Sequence, residues 1–109
     1  MTLNDLKQII INAGFERTYC GNTDEKPKRP YVIIDPDVLN CLHANDRVIM
    51  CRQRVIITLY TGKIDRAKQR AIEKALDTNN IGFSADHYYD EDEKSWAAEY
   101  EVTITDYAD

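Results

Sequence analysis

The feature that most constrains the fold of this chain is a strict alternation of side chains between Ser95 and Ile104. One set of alternate positions is apolar, namely Trp96, Ala98, Tyr100, Val102 and Ile104. The other set is small or polar, namely Ser95, Ala97, Glu99, Glu101 and Thr103. Because successive side chains of a β-strand point to opposite faces of a sheet, the pattern predicts a strand with one face in the core. We expect its other face to meet water or a partner.

Three further elements precede this strand with few residues between them. Residues 54–60 are rich in β-branched side chains and predict a strand, which a turn at Gly62 connects to a helix over residues 65–78. The helix carries an apolar stripe that suits packing against a sheet. Its members are Ile64, Ala67, Ala71, Ile72, Ala75 and Leu76. A strand over about residues 81–89 follows and turns back through residues 90–93.

The N-terminal third predicts a helix, a loop and a strand. Thr2 and Asp5 have the spacing of an N-terminal cap, apolar residues recur at helical spacing after them, and Gly14 is a typical stop, so we expect a helix over residues 3–13. Residues 16–29 are polar and show no period, which is typical of a surface loop. Residues 31–35 lie between two prolines and predict a short strand that is covered on both faces.

A hairpin is predicted between that strand and the second helix. Its first arm includes residues 39–42, residues 43–46 have turn chemistry, and its second arm is the long run 47–60. The second arm is longer than a typical strand, so we expect the hairpin to project past the domain body. Val48, Ile49 and Met50 would then be exposed, which favours an arm that grips a neighbouring molecule over a flexible flap.

The fold class predicted is α+β, in a single domain over residues 1–109. Two helices pack on one face of a four- to five-stranded, mostly antiparallel sheet, and the β-hairpin projects from it. The longest apolar runs are only strand-sized, and the N-terminus lacks a basic region followed by an apolar core. We therefore expect a soluble protein that is made in the cytoplasm, with no membrane partner.

The three cysteines, Cys20, Cys41 and Cys51, are an odd number without framework spacing, so we expect them to be reduced. Cys41, His43 and Cys51 could meet across the hairpin as zinc ligands, or His43 could activate a thiolate. A structural zinc ion is normally coordinated by four ligands, and no fourth ligand is evident. We predict no metal, no cofactor and no catalytic residue, and expect that the protein is not an enzyme.

Two other binding chemistries are disfavoured. The acids at 86 and 90–93 lack the glycine and the alternate spacing of a calcium loop, so a solvated turn accounts for them better. Phosphates could contact Arg47, Arg52 and Arg54, but the net charge is −5, and Tyr88, Tyr89 and Trp96 lie in the most acidic third of the chain. Specific nucleic-acid binding is therefore not expected.

Charge is sorted along the sequence. Between Arg47 and Lys74 there are eight basic residues against two acidic ones, and between Asp86 and Asp109 there are nine acidic residues against Lys94 alone. The two sets could simply neutralise each other within one folded chain. The sharper hypothesis is that a basic surface of one copy meets an acidic surface of the next. This contact is head-to-tail, and it makes a ring if the rotation between copies closes.

Several segments of the chain together resemble the small tail terminator, or tail completion, proteins of long-tailed phages and prophages. They are the first helix from Met1 to Leu6, the strands at 29–34 and 54–61, the helix at 67–76 and the ending at 96–104. The match covers most of the chain in the right order. It rests on the order of the elements and a few aromatic positions, and the region 41–50 departs from the pattern.

The resemblance implies a structural subunit of a homohexameric ring at the head-proximal end of a phage tail. Such a ring ends tube polymerisation and supplies the surface on which the head docks, so its partners are copies of itself, the tail tube protein and the head-completion or connector proteins. Its expected location is the neck of the virion, and the host cytoplasm during assembly. DNA would pass through the channel without specific binding, and an acidic rim at residues 90–93 would repel it.

The alternatives are a connector or head-closure subunit on the head side of the neck, and, in another class, a ferredoxin-like domain that binds a small regulatory molecule. The sequence leaves the ring size and the contacting surfaces open. The residues predicted to form the interface are Val48, Ile49, Met50, Arg52, Arg54, Arg66, Arg70, Asp90, Glu91, Asp92, Glu93, Glu99 and Glu101.

Overall fold

The computed structural model describes residues 1–21 and 27–107, in which two helices and five strands form an α+β fold. In chain order the elements are α1 Leu3–Asn12, β1 Thr18–Cys20, β2 Tyr31–Ala44, β3 Arg47–Thr61, α2 Arg66–Thr78, β4 Phe83–Asp90 and β5 Ser95–Tyr107. Within the described residues the strands form one sheet with the order β1-β2-β3-β5-β4. The pair β1–β2 is parallel and the other pairs are antiparallel. The predicted fold class is confirmed.

Each helix begins after a residue whose side chain accepts a hydrogen bond from a backbone amide of the first turn. The Thr2 hydroxyl accepts a hydrogen bond from the amide of Asp5, and the Asp5 carboxylate accepts one from the amide of Thr2, which completes a capping box. These hydrogen bonds lower the pKa of Asp5. Asp65 caps α2 by accepting from the amide of Lys68 at 3.1 Å. After α1 the chain turns at Gly14, whose φ of 109° is open to glycine without strain.

The core lies between the helices and one face of the sheet. Leu6 and Ile10 of α1 and Ile72 and Leu76 of α2 are fully buried in one cluster with alternate residues of three strands. The strand members are Val32, Ile34, Val55, Ile57, Leu59, Ala98, Tyr100, Val102 and Ile104. The alternation from Ala98 to Ile104 thus faces the core as predicted, while Ser95 and Ala97 are buried as well.

The opposite face of the sheet, called the open face below, carries the intervening residues of the strands. On β5 these include Glu99 and Glu101, and on β3 they include Arg54 and Ile56. Strand β2 contributes Asp35, which pairs with Ile56, and β4 contributes Asp86, which pairs with Glu99. No described helix packs on this face.

The structure corrects the sequence-based elements at three places. The segment predicted as a loop over 16–29 contains the edge strand β1, and its residues 22–26 lie outside the described residues. The predicted strand 31–35 continues without a break to Ala44, with a register shift between Pro36 and Leu39. Strand β5 continues past Ile104 to Tyr107. A three-residue strand has too few residues to show a period, so its pattern cannot be seen in the sequence.

Candidate assembly interface

Four exposed apolar side chains of the sheet lie on a two-stranded arm, which comprises the second half of β2, the first part of β3 and the turn between them. The turn is made by Asn45 and Asp46, which both have positive φ, 52° and 62°. A two-residue turn with positive φ at both positions matches the right-handed twist of antiparallel strands, which explains why this short sequence reverses the chain. Leu39, Leu42, Val48 and Ile49 of the arm are 56%, 55%, 43% and 42% exposed.

The predicted contact residues Val48, Ile49 and Met50 all lie on this arm. A register shift follows Leu42, so that Val48 pairs with His43 and Met50 pairs with Leu42. Met50 also pairs with Tyr107 of β5, which is 69% exposed. Leu42, Met50 and Tyr107 therefore form a row across three adjacent strands. Leu42 and Tyr107 were not among the predicted interface residues, because only the register of the strands brings them beside Met50.

A disulfide joins the two strands of the arm, and the prediction of reduced cysteines is therefore wrong for two of the three. Cys41 and Cys51 are directly opposite each other in the register, their Cα atoms are 4.0 Å apart, and their sulfur atoms are bonded. Neither sulfur is then a thiolate that could bind zinc or act as a nucleophile beside His43. Cys20 is a free and exposed thiol.

The described residues contain no group of three or more histidine, cysteine or acidic side chains arranged to hold a metal ion. His43 is exposed on the arm, and the ring of His87 lies 6.2 Å from the ring of Tyr100. A face of one aromatic ring against the edge of another is a packing contact.

Arg54, one of the predicted interface residues, bridges two acids of its own chain. Its guanidinium forms an ion pair with Asp37, with 2.9 Å between Nε and Oδ2, and lies 3.5 Å from a carboxylate oxygen of Glu101. The hydrogen bond with Asp37 and the two negative charges raise the pKa of Arg54. At Arg54 the structure therefore contains neutralisation of charge within one chain, an alternative that the sequence left open. Arg52, two residues earlier, is exposed on the same face.

Two acids of the open face lie opposite each other on adjacent strands. Asp86 on β4 pairs in register with Glu99 on β5. Glu99 accepts a hydrogen bond from the Tyr88 hydroxyl at 2.9 Å, and burial together with this contact raises the pKa of Tyr88. Asp86 is exposed and makes no ion pair with any described residue. Like charges at directly opposed positions repel each other, so this part of the open face favours a positively charged partner.

The predicted acidic rim, Asp90 to Glu93, lies at the end of the sheet opposite the arm. The Asp90 carboxylate accepts hydrogen bonds from the amides of Asp92 and Glu93, at 3.0 and 3.2 Å, and so shapes the turn. Glu93 accepts another from the Tyr31 hydroxyl at 3.3 Å. Burial, followed by the charge of Glu93, raises the pKa of Tyr31 to about 12. The structure thus separates this rim from the arm by the length of the sheet.

The outer side of α2 is basic. Arg66 forms an ion pair with Glu73 at 3.6 Å, and Lys68 forms one with Asp65 at 3.2 Å. Arg70, which was predicted to lie in the interface, is exposed and has no ion-pair partner among the described residues. The predicted residues therefore occupy four separate places, namely the arm, the open face, the turn at 90–93 and α2.

A comparison of the sequence with protein-family models and with curated proteins finds no match. None of the helices in the described part of the chain is long and apolar enough to cross a membrane.

Proposed function

We propose that this protein is a structural subunit that assembles into a ring at the head-proximal end of a phage tail. The ring would end polymerisation of the tail tube and provide the surface on which the head docks, as the resemblance to tail terminator proteins implies. A homohexamer is the assembly expected from that resemblance.

The observation that carries the proposal is the arm. It holds four apolar side chains in water, each more than 40% exposed, on a hairpin whose turn and disulfide give it a defined shape. Exposed apolar side chains on an arm suit contact with a partner, and a preformed arm loses little conformational freedom when it binds. The arm is therefore the part of the molecule best suited to grip a neighbouring subunit.

The placement of the acids at 90–93 is compatible with a ring through which DNA passes. They lie at the end of the sheet that is farthest from the arm, so a ring held together by the arms could direct this end elsewhere, toward the channel. Negative charge there would keep DNA from adhering to the wall. In such a ring DNA passes through the channel and is not bound as a ligand.

The test is to add the purified protein to tail tubes assembled from the tube protein of the same phage or prophage, and to image them by electron microscopy. We expect extra density at one end of each tube and a halt in tube growth. Binding to isolated head connectors but not to tubes would move the protein to the head side of the neck. Binding to neither would refute the proposal and favour the small-molecule-binding alternative, which a search for ligand-induced rises in melting temperature would address.

An arm variant gives the test a matched control. Leu42→Ser combined with Val48→Ser removes two exposed apolar side chains, so it should abolish capping while the melting temperature of the free protein stays the same. Ile64→Ser is the control, because Ile64 is 59% exposed but lies before α2, away from the arm. We expect the Ile64→Ser variant to cap tubes like the unmodified chain.

A further inference from the structure

Two surfaces of this chain carry opposite charges that the fold prevents from meeting in one molecule. The first is the outer side of α2, where Arg70 and Lys74 are both exposed and have no ion-pair partner among the described residues. Arg66, one helical turn before Arg70, adds to the same side, although Glu73 offsets its charge. This basic surface lies on the helix layer of the domain.

The second surface is the acidic part of the open face. Asp86 and Glu99 are directly opposed on adjacent strands, and Asp35 on β2 is exposed on the same face. Arg54 already neutralises part of the charge of Glu101, whereas neither Asp35 nor Asp86 has an ion-pair partner among the described residues. The opposed carboxylates repel each other in the isolated chain, and a guanidinium or ammonium group placed between them would remove that repulsion.

The two surfaces point in opposite directions. Ile72 and Leu76 anchor α2 on the core face of the sheet, and Asp86 and Glu99 lie on the other face. A single copy therefore cannot bring Arg70 to Asp86, but a second copy can. Tyrosine side chains border the acids, with Tyr88 hydrogen-bonded to Glu99 and Tyr60 half-buried on the same face, and tyrosine is enriched in protein interfaces.

We propose that the acidic part of the open face, centred on Asp86 and Glu99, binds the outer side of α2 from a second copy, with Arg70 and Lys74 as the contacting cations. The inference rests on the proposed function, because it names a second contact, in addition to that of the arm, between neighbouring copies in the ring. Each copy offers one surface of each kind, so the contact is head-to-tail and repeats from copy to copy until the ring closes.

The test reverses each surface separately and then mixes the variants. Asp86→Lys with Glu99→Lys gives a chain whose two surfaces are both basic, and Arg70→Glu with Lys74→Glu gives a chain whose two surfaces are both acidic. Neither should self-associate, and an equimolar mixture should form alternating assemblies as large as those of the unmodified chain. Sedimentation velocity across a range of concentrations, at an ionic strength of about 50 mM so that screening is weak, measures this.

A second pair of substitutions neutralises Asp86 and Glu99, and the result expected from it is one that an unfolded variant would not give. Asp86→Asn with Glu99→Gln keeps an acceptor for the Tyr88 hydroxyl and removes the like-charge repulsion, so the dilute protein should melt at the same or a higher temperature. Self-association should nevertheless weaken by about tenfold or more, the usual scale for losing close charge pairs at an interface. Asp106→Lys and Lys63→Glu are the matched controls, because both positions are exposed and lie outside the two surfaces.

Three outcomes would overturn the proposed contact. The unmodified chain could stay monomeric at every concentration, the charge-reversed variants could each self-associate as the unmodified chain does, or the equimolar mixture of the two charge-reversed variants could fail to associate. These failures are separate from failure of the proposed function. Capping of tail tubes by the charge-reversed variants would keep the function and reject the contact. Alternating assemblies from a protein that caps no tubes would keep the contact and reject the function.

Discussion

Cys41 and Cys51 lie directly opposite each other on β2 and β3, and the bond between their sulfur atoms ties the two strands of the arm together. Most residues of the arm are exposed. Its shape therefore depends on strand pairing, on the turn and on this covalent link, more than on burial of apolar surface. If the arm grips a neighbour, the disulfide limits the conformations that it must lose on binding.

Reduction of the disulfide should loosen the arm and leave the core intact. Before reduction an alkylating reagent should modify Cys20 alone, and after reduction it should modify all three cysteines. Chain-entropy arithmetic assigns about 3 kcal/mol to closing a loop of this length. Because the arm lies outside the core, most of this should appear as faster amide exchange in the arm, measured by mass spectrometry with and without reductant.

Cys20→Ser is the control for that experiment. Cys20 is exposed on β1, far in sequence from the arm, and the variant should retain the slow exchange of the arm. Equal exchange in the arm before and after reduction would show that the disulfide does not hold its shape.

The turn of the arm should respond to the backbone preference of its second residue. Asp46 has a φ of 62°, a conformation that glycine adopts freely and that costs a β-branched residue about 1 kcal/mol or more. Asp46→Gly should therefore slow amide exchange at the tip of the arm, and Asp46→Val should speed it. Exchange in α2 is the internal control, and a reversed order of the two variants would contradict the turn geometry.

The sequence was sufficient for the elements whose patterns are local and long. The capping box of Thr2 and Asp5, the apolar stripe of α2 and the alternation of β5 each follow from side chains within one element, and each is present in the fold. The disulfide was not predicted, although Cys41 and Cys51 flank the turn, because their pairing depends on a register that the shift after Leu42 changes. A short sequence pattern does not reveal where such a shift falls.

The candidate interface was predictable in composition but not in arrangement. The basic and acidic segments are evident in the sequence, yet Arg54 belongs to the basic segment and lies on the open face between Asp37 and Glu101. Conversely, Asp35 lies outside the acidic segment but joins the same face. Which charges share a surface depends on the strand order β1-β2-β3-β5-β4, a long-range property of the fold.

Tyr100 connects the sheet to α2, and its hydroxyl should contribute to stability. The side chain is fully buried, and its oxygen lies 2.8 Å from a carboxylate oxygen of Glu73 and 3.4 Å from the carbonyl oxygen of Gln69. Tyr100→Phe should lower the free energy of unfolding by about 1 kcal/mol, because it leaves these acceptors without the hydroxyl. Urea denaturation measures the change. Tyr107→Phe, at an exposed position, should leave the value the same.

Tyr31 should make the stability of the protein depend on alkaline pH. Burial and the neighbouring Glu93 raise its pKa in the fold to about 12, whereas the unfolded chain has the ordinary value near 10. The folded state therefore holds this proton more tightly, so the stabilisation is fully present below about pH 10 and is lost as the pH rises toward 12. In Tyr31→Phe the melting temperature should fall less steeply across that interval than in the unmodified chain. The other phenols are common to both proteins, and Tyr107→Phe is the control; identical slopes in all three would contradict the proposed environment of Tyr31.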